Sequence, residues 1–292
     1  MNMAEALYRR EPMARHVSWR AGGPVDRLFI PRDTEHLSSF LKTRPPHEAV
    51  LFVGLGSNLL VRDGGFRGTA ILMHQARLAP ELRHGMVYAQ AGVASPKVAR
   101  FAALNHLSGA EFMAGIPGTV GGALAMNAGC YGGETWDIVA RAVTIDRAGL
   151  VHERERSEYE ISYRHCRSPK EEWFVGAYFS LGPGDGDASR ARIKEFLARR
   201  IATQPLQLPN AGSVFRNPPG DHAARLIESC GIKGLQRGGA RVSEKHANFI
   251  VNPEGAASAA DIEGLILEVQ KIVREKTGVL LVPEVRIVGD PA

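Results

Sequence analysis

The sequence predicts an α+β fold, and three observations lead to this prediction. Short apolar runs of strand length mix with helical patterns without a regular βαβ alternation, which argues against a doubly wound parallel sheet. Hydrophobic residues make up 44% of the chain and charged residues 23%, a balance that supports buried cores. With 292 residues, the chain is long enough for two or three domains.

The strands are predicted where short apolar runs are bounded by turn residues. These runs lie at 49–53, 87–91, 139–146, 173–181, 279–282 and 285–288. A first helix is predicted over 34–43, with Asp33 as its N-cap. A second helix is predicted to begin at Ser95, as the capping residue before a proline, and to be closed by Gly109.

The run Gly182–Asp187 is the clearest break in the chain and predicts a boundary between a domain over 1–185 and a domain over 186–292. A charged helix over about 188–203 follows it. The last helix begins at a capping-box-like pair, Ser258 and Asp261. Gly278 is expected to end this helix, because glycine readily adopts the left-handed conformation of a C-cap.

Composition excludes several classes of protein. The formal net charge of +5 favours anionic ligands such as nucleotides, but no basic run is long enough for a nucleic-acid patch. Three cysteines (Cys130, Cys166 and Cys230) without a CxxC pair argue against a disulfide framework and against a metal site. No stretch of 18 apolar residues is present, and the first twenty residues lack a signal-peptide core. We therefore expect a cytoplasmic protein with no membrane partner.

A first glycine-rich loop, Gly54-Leu55-Gly56-Ser57-Asn58-Leu59-Leu60, follows the strand predicted at 49–53. It is not a dinucleotide fingerprint, because Leu59 stands where the third glycine belongs, and the chain has no GK[ST] of a P-loop. Successive N–H groups in such a turn can bind an anion such as pyrophosphate. Taken alone, such a loop is more often an ordinary strand-to-loop turn.

A second segment runs from Gly115 to Ala123 and on from Met126 to Gly133. Its glycines allow the main chain to approach a flat ligand, and Thr119 and Asn127 could hydrogen-bond phosphate or ring edges. A flexible surface loop is the alternative. We favour a buried ligand-binding segment, because apolar residues within it favour burial, namely Ile116, Val120, Leu124, Ala125 and Met126.

Three further segments place single polar residues among residues that restrict the main chain. They are Ser162–Arg167, Gln204–Pro218 and Pro283–Arg286. Glu284 and Arg286 alternate along a predicted strand, so both side chains can reach one cleft. Taken alone, each such serine, arginine or glutamate is more often a surface or capping residue than a catalytic one.

The motifs together resemble a known family. The run GIPGTVGGALAMNAG closely resembles the signature of the UDP-N-acetylenolpyruvoylglucosamine reductase family, and Trp19–Pro24 resembles its early motif, with Ala21 in place of the usual isoleucine. The resemblance covers about residues 15–289. Within the family, the chain resembles the shorter, type II form. It implies a FAD-binding domain of the vanillyl-alcohol-oxidase/cresol-methylhydroxylase type in two lobes (about 1–75 and 76–185). A C-terminal α+β substrate-binding domain over 186–292 would follow.

The resemblance also implies the roles of individual residues. Arg164, Ser213 and Glu284 match the catalytic positions, with Arg164 stabilising an enolate, Ser213 donating a proton, and Glu284 either donating to the same oxygens or orienting the other two. Tyr163, Asn217 and Arg286 match substrate-binding positions, and the segment 239–249 matches a substrate-domain element. The implied cofactor-binding residues are Gly54, Gly56, Ser57, Asn58, Leu59, Gly115, Ile116, Pro117, Gly118, Thr119, Gly121, Gly122, Asn127, Ala128 and Gly129.

The implied activity is the NADPH-dependent, FAD-mediated reduction of UDP-N-acetylglucosamine enolpyruvate to UDP-N-acetylmuramate in peptidoglycan precursor synthesis. The FAD is expected to be non-covalent and the protein to be a monomer. Cys130 and Cys166 depart from the family pattern, which has alanine and serine there more commonly. An alternative is another flavin oxidase or dehydrogenase of the same superfamily, in which His106 or Cys130 could carry the flavin covalently. A non-catalytic binding protein on the same fold is a second alternative.

Overall fold

The computed structural model of the chain describes residues 7–292. The strands are β1 (Leu7–Pro12), β2 (Pro24–Phe29), β3 (Val50–Val53), β4 (Leu59–Val61), β5 (Phe66–Leu72), β6 (Glu81–Arg83), β7 (Met86–Gln90), β8 (Leu107–Ser108), β9 (Gly129–Cys130), β10 (Gly133–Glu134), β11 (Val139–Asp146), β12 (Val151–Glu155), β13 (Glu160–Ser162), β14 (His165–Arg167), β15 (Glu172–Phe179), β16 (Gly182–Pro183), β17 (Gln236–Arg237), β18 (Ala240–Val242), β19 (Ile250–Val251) and β20 (Arg286–Val288). The helices are α1 (Thr34–Lys42), α2 (Ser95–Leu104), α3 (Val120–Met126), α4 (Gly186–Thr203), α5 (Ala223–Ser229) and α6 (Ala259–Thr277).

The described chain forms two compact units, each discontinuous in sequence. The first unit contains Phe29–Leu55 and Ala70–Arg200, together with Leu7. The second unit contains Tyr8–Leu28, Gly56–Thr69 and Ile201–Ala292. The division into continuous domains at 185/186 stays a prediction, and residues 1–6 of its first lobe lie outside the described residues. Within the described range, no helix is both long enough and apolar enough to cross a bilayer.

A five-stranded antiparallel sheet organises the first unit, in the order β12-β11-β15-β7-β6. Helices α2 and α3 contact strand β7, and α3 also contacts β15. Trp136, Phe179 and Phe112 belong to one core of this unit. A second core contains Phe29 and Phe40, whose stacked rings lie 3.8 Å apart between centroids. Burial of these apolar faces is the main force that holds the sheet and the helices together.

The second unit is built around helix α6 and the small sheet β17-β18-β19. Its core includes Trp19 and Phe215 together with the apolar face of α6. Strand β20 pairs in parallel with β4, which joins the last strand of the chain to the first glycine-rich loop. The remaining sheets have the orders β1-β2-β5-β3, β10-β9, β13-β14 and β16-β8.

Several predicted helix ends are confirmed. The side chain of Asp33 accepts a hydrogen bond from the main-chain N–H of His36 and caps α1. Ser258 and Asp261 form a reciprocal capping box at α6, and Gly278 ends that helix with φ +75°. The charged helix predicted after the glycine-rich break is α4.

Other predicted boundaries are wrong. Ala94, not Ser95, is the N-cap of α2, and no hydrogen-bond partner for the buried Ser95 hydroxyl exists among the described residues. This helix ends at Leu104, well before Gly109. The next residue, Asn105, caps it, because both its side-chain amide and its main-chain N–H donate to the carbonyl of Phe101. Residues 279–282 form no strand. The Val282 carbonyl accepts from the Arg216 N–H, and the next residue, Pro283, forms only an isolated bridge with Phe215.

Candidate active site

The second glycine-rich segment lies in the first unit and is partly helical. A 3₁₀ turn over Glu111–Gly115 leads into it, and α3 occupies its centre. The hydroxyl of Thr119 accepts a hydrogen bond from the N–H of Gly122 and caps α3. Ile116, Val120 and Leu124 are buried as predicted, whereas Ala125 is exposed because it lies on the outer face of the helix.

Glycine is required where this segment meets its neighbours. A Cβ on Gly54 would lie 2.3 Å from the Thr119 hydroxyl oxygen, so the structure brings the start of the first loop against the second segment. A Cβ on Gly115 would lie 2.6 Å from the sulfur of Cys130. These close approaches leave no room for larger side chains and fix the path of the main chain.

The rest of the first loop belongs to the second unit and forms a tight turn. Gly56 has φ +62°, and a Cβ there would meet the His16 carbonyl at 2.3 Å. The Asn58 amide donates to the Glu284 carbonyl at 3.1 Å. Within residues 7–292, the main-chain N–H groups of Ser57 and Asn58 have no hydrogen-bond acceptor. Two adjacent free donors of this kind suit phosphate oxygens, so this turn fits a dinucleotide cofactor such as FAD.

Arg164 lies in the turn between β13 and β14, with an uncommon φ of +54°. Its guanidinium donates to the carbonyl of Gly129 at 2.6 Å and to that of Asn127 at 3.5 Å. Its Nη1 atom lies 3.7 Å from a carboxylate oxygen of Glu134. The neighbouring Tyr163 is 45% exposed, and its ring centroid lies 4.8 Å from the Arg164 Cζ atom. The arginine is thus anchored at the end of the glycine-rich segment.

Asn127 is the junction that fixes this corner of the first unit. It ends α3 in the left-handed conformation, with φ +41°, and is 1% exposed. Its amide oxygen accepts from the Trp136 N–H at 3.1 Å, and its amide nitrogen donates to Glu134 at 2.8 Å and to the Ser162 carbonyl at 3.1 Å. The side chain is therefore engaged within the protein. That Asn127 binds the cofactor stays a prediction, and the main chain is the part of it suited to that contact.

The chain that follows Ser213 pairs with the chain at Glu284 in the second unit. The Glu284 N–H donates to the Val214 carbonyl at 2.7 Å, and Phe215 forms a bridge with Pro283. Gly212, with φ +75°, turns the chain immediately before the serine. Glu284 precedes β20 and is not part of it, so the predicted alternation of Glu284 and Arg286 along one strand is wrong.

Two predicted substrate-binding residues also lie in the second unit. The side-chain oxygen of Asn217 accepts from the Ala223 N–H at 3.1 Å, at the first residue of α5. Arg286 is exposed at the start of β20, and its N–H donates to the Asn58 carbonyl at 3.1 Å. The structure therefore brings Arg286 next to the first glycine-rich loop, whereas Arg164 and Tyr163 belong to the first unit.

Comparison with known proteins identifies the family. Residues 204–288 match the family model of the UDP-N-acetylenolpyruvoylglucosamine reductase C-terminal domain, and residues 25–154 match that of a FAD binding domain. A UDP-N-acetylenolpyruvoylglucosamine reductase of Thiobacillus denitrificans is 59% identical over 96% of this chain and 91% of its own length. One of Methylococcus capsulatus is 56% identical over 96% and 92%. The chain belongs to the UDP-N-acetylenolpyruvoylglucosamine reductase family.

A solved structure of the same family has the same fold. The UDP-N-acetylenolpyruvylglucosamine reductase of Thermus caldophilus is 31% identical, covers 96% of this chain and 97% of its own, and gives a TM-score of 0.81. The predicted fold class is confirmed: a FAD-binding domain of the vanillyl-alcohol-oxidase/cresol-methylhydroxylase type with the reductase C-terminal domain, α+β in content.

The two cysteines that depart from the reductase family pattern are structural in this chain. The Cys130 thiol donates to the Phe112 carbonyl at 2.9 Å, and Cys166 packs against the core of the first unit. Burial raises the pKa of each thiol to about 11, so neither is a ready nucleophile at neutral pH. In the described residues, no cluster of three or more His, Cys, Asp and Glu side chains could hold a metal ion.

Sequence reasoning missed two residues that contact the candidate residues or their segments, one in each unit. Glu134 contacts Arg164 and Asn127, and Asn248 contacts the chain after Ser213. Asn248 sits in the apolar run 247–251, and a buried amide in such a run needs hydrogen-bond partners. That requirement was a usable signal, but the identity of the partners depends on tertiary structure.

Proposed function

We propose that this protein reduces UDP-N-acetylglucosamine enolpyruvate to UDP-N-acetylmuramate, with NADPH as the electron donor and non-covalent FAD as the carrier. The observation that carries the proposal is the main-chain pairing of the Ser213 segment with Glu284, through the 2.7 Å bond from Glu284 to Val214. It supports the proposal because it joins the segments of two candidate catalytic residues within a chain of this family. The reaction adds a hydride to C3 of the enolpyruvyl ether and a proton to C2.

The two glycine-rich segments would hold the cofactor. The turn Gly56–Leu59 offers main-chain donors to phosphate, and the segment Gly115–Gly129 offers a main chain free of bulky side chains. When bound, FAD supplies the hydride that no protein side chain can deliver. Gly54 would contribute by keeping Thr119 close to the loop.

Arg164 would stabilise the negative charge that develops on the substrate. Hydride addition at C3 pushes electron density from C2 toward the carboxylate and produces an enolate. A guanidinium already oriented by the Gly129 and Asn127 carbonyls binds such an oxyanion with two parallel hydrogen bonds and little reorganisation. This is the interaction that is stronger in the transition state than in the ground state.

Ser213 would donate its hydroxyl proton to C2, forming the C2–H bond and leaving an alkoxide that solvent reprotonates. A serine is a reluctant acid, but the enolate carbon is strongly basic and offsets this. Glu284 would either donate from its protonated form to the enolate oxygens or orient Arg164 and Ser213; the first role requires a raised pKa.

Tyr163, Asn217 and Arg286 would hold the UDP-sugar substrate. Tyr163 and Arg286 are exposed, and arginine suits a diphosphate because its planar fork matches phosphate oxygens. We further propose that the protein acts as a monomer in the cytoplasm, without nucleic-acid or membrane partners. Its product would enter cell-wall biogenesis and so affect cell shape and division.

The absorbance spectrum of the purified protein, followed by NADPH consumption, tests the function. We expect flavin absorbance that leaves the polypeptide on denaturation, and NADPH oxidation that requires the enolpyruvyl substrate and yields the lactyl ether. A colourless protein that takes up no FAD would contradict the proposal. Retention of the yellow colour by the denatured chain would instead favour a covalent flavin enzyme of the same superfamily.

A further inference from the structure

We propose that Asn248 is a positioning residue for Ser213, holding the serine in the orientation needed to protonate C2. The inference rests on the proposed proton-donor role of Ser213. Asn248 lies in the segment 239–249, to which the family resemblance assigns only a place in the substrate domain. All residues involved belong to the second unit.

Asn248 forms three hydrogen bonds to the two residues that follow Ser213. Its amide oxygen accepts from the Phe215 N–H at 2.9 Å, and its amide nitrogen donates to the Phe215 carbonyl at 2.8 Å. Its main-chain carbonyl accepts from the Val214 N–H at 2.9 Å. Asn248 is 3% exposed, so water does not compete for these bonds and each lost partner would leave a buried group unpaired.

The opposite side of the same short segment is bound by the chain around Glu284. The Val214 carbonyl accepts from the Glu284 N–H, and the Arg216 N–H donates to the Val282 carbonyl at 2.9 Å. Val214 and Phe215 are thus fixed from both sides. Loss of the Asn248 side-chain amide would remove both bonds to Phe215 and leave the main-chain bond from Val214 as the remaining contact with Asn248.

The chain before Ser213 is also restrained, but by a turn. The Gly212 N–H donates to the Asn210 side-chain oxygen at 2.9 Å, and Gly212 adopts φ +75°. The serine therefore lies between a fixed turn and the clamp on Val214 and Phe215. Because its main chain is set on both sides, the direction of its Cα–Cβ bond is set as well.

This placement matters because proton transfer to carbon depends steeply on geometry. A misplacement of about 1 Å can cost on the order of 100-fold in rate. A serine hydroxyl, being a weak acid, gains most from a short and well-aligned approach. Hydride uptake from NADPH does not involve this proton, so it gives an internal reference within the same molecule.

The first test is Asn248→Ala in the FAD-loaded protein, followed by anaerobic stopped-flow absorbance of both half-reactions. We expect flavin reduction by NADPH to stay within about twofold of wild type. Flavin reoxidation by the enolpyruvyl substrate should fall on the order of 10- to 100-fold. The solvent deuterium isotope effect on reoxidation should rise, because proton transfer becomes more nearly rate-limiting.

Asn252→Ala is the matched control. Asn252 is 0% exposed in the same unit, and its amide also makes two main-chain hydrogen bonds, to the Trp19 carbonyl at 2.9 Å and from the Ala257 N–H at 3.0 Å. We expect both variants to lower the thermal unfolding midpoint. In Asn252→Ala the ratio of the two half-reaction rates should remain that of wild type.

Asn248→Asp provides a pH readout that general destabilisation does not give. As a carboxylate, aspartate can accept from the Phe215 N–H but cannot donate to the Phe215 carbonyl. As a neutral acid it can do both, as asparagine does. Relative to wild type at each pH, reoxidation in this variant should recover as the pH falls. If Asn248→Ala does not fold, this profile decides the matter.

Ser213→Ala, measured in parallel, separates the two possible failures. Normal reoxidation in Ser213→Ala would remove the proposed proton donor and, with it, the basis of the inference. Slow reoxidation in Ser213→Ala with normal reoxidation in Asn248→Ala would overturn the positioning role alone. If the reoxidation rate of Asn248→Asp relative to wild type did not change with pH, the positioning role would be overturned as well.

Discussion

Arg164 illustrates how a single side chain is prepared for charge stabilisation. Its guanidinium is bound by main-chain carbonyls that carry no formal charge, and the nearest Glu134 oxygen lies 3.7 Å away. These contacts hold the guanidinium in a defined orientation at the end of the glycine-rich segment. The left-handed main chain at this residue, with φ +54°, further limits where the side chain can go.

Replacing Arg164 by lysine should impair the enzyme severely. The charge is kept, but an ammonium is a point donor and cannot bind a carboxylate with two parallel bonds. We expect flavin reoxidation by substrate to fall on the order of 100-fold or more, while flavin reduction by NADPH changes little. Stopped-flow absorbance would measure both rates.

Arg167→Lys is the control, because Arg167 is exposed in the same hairpin and pairs with Glu160 at 3.4 Å. A surface pair of this kind contributes little, so turnover should stay near wild type. Near-normal turnover in Arg164→Lys would argue against an arginine clamp on the enolate.

At the scale of elements, the last helix shows how local chemistry sets a boundary. The Ser258 hydroxyl accepts from the Asp261 N–H at 3.0 Å, and the Asp261 carboxylate accepts from the Ser258 N–H at 3.0 Å. Two otherwise unpaired donors at the start of α6 are thereby satisfied. This helix supplies much of the apolar face in the core of the second unit.

Ser258→Ala should lower the free energy of unfolding by about 1 kcal/mol, because the cap of α6 is lost. Urea unfolding of the FAD-saturated protein would measure this, and both half-reaction rates should stay near wild type. Ser157→Ala, at an exposed serine, should change stability by less than about 0.5 kcal/mol. Equal effects of the two substitutions would contradict the capping role.

Elements with local signals could be predicted from the sequence, and elements held by distant contacts could not. Asp33, Ser258 and Gly278 act on main-chain groups within a few residues, so their effects are visible in the sequence. Helix α3 was missed because Gly121 and Gly122 are poor helix formers. Burial of one face of α3 in the core of the first unit stabilises it instead.

The candidate site follows the same rule. The segments carrying Arg164, Ser213 and Glu284 could be found because their motifs are contiguous in sequence. Asn248 is detectable as an amide within an apolar run, but its partner Phe215 lies 33 residues away and nothing local identifies it. Glu134 likewise contacts Arg164, which lies 30 positions further along the chain. Arg164 lies in the β13–β14 hairpin, and the strand register of that hairpin cannot be derived from the sequence.

At the scale of the whole molecule, the proposed catalytic groups are contributed by both compact units. Arg164 comes from the first unit, and Ser213 and Glu284 come from the second. The matched FAD binding domain, residues 25–154, itself includes segments of both units. Under the proposed roles, a truncated unit is not expected to turn over substrate.

In the proposed reaction, Ser213 supplies the proton after the hydride has been delivered. Anaerobic stopped-flow absorbance of FAD-loaded Ser213→Ala tests it most directly. We expect flavin reduction by NADPH close to wild type and reoxidation by the enolpyruvyl substrate slowed on the order of 100- to 10,000-fold. Reoxidation at the wild-type rate, with formation of the lactyl ether, would contradict it.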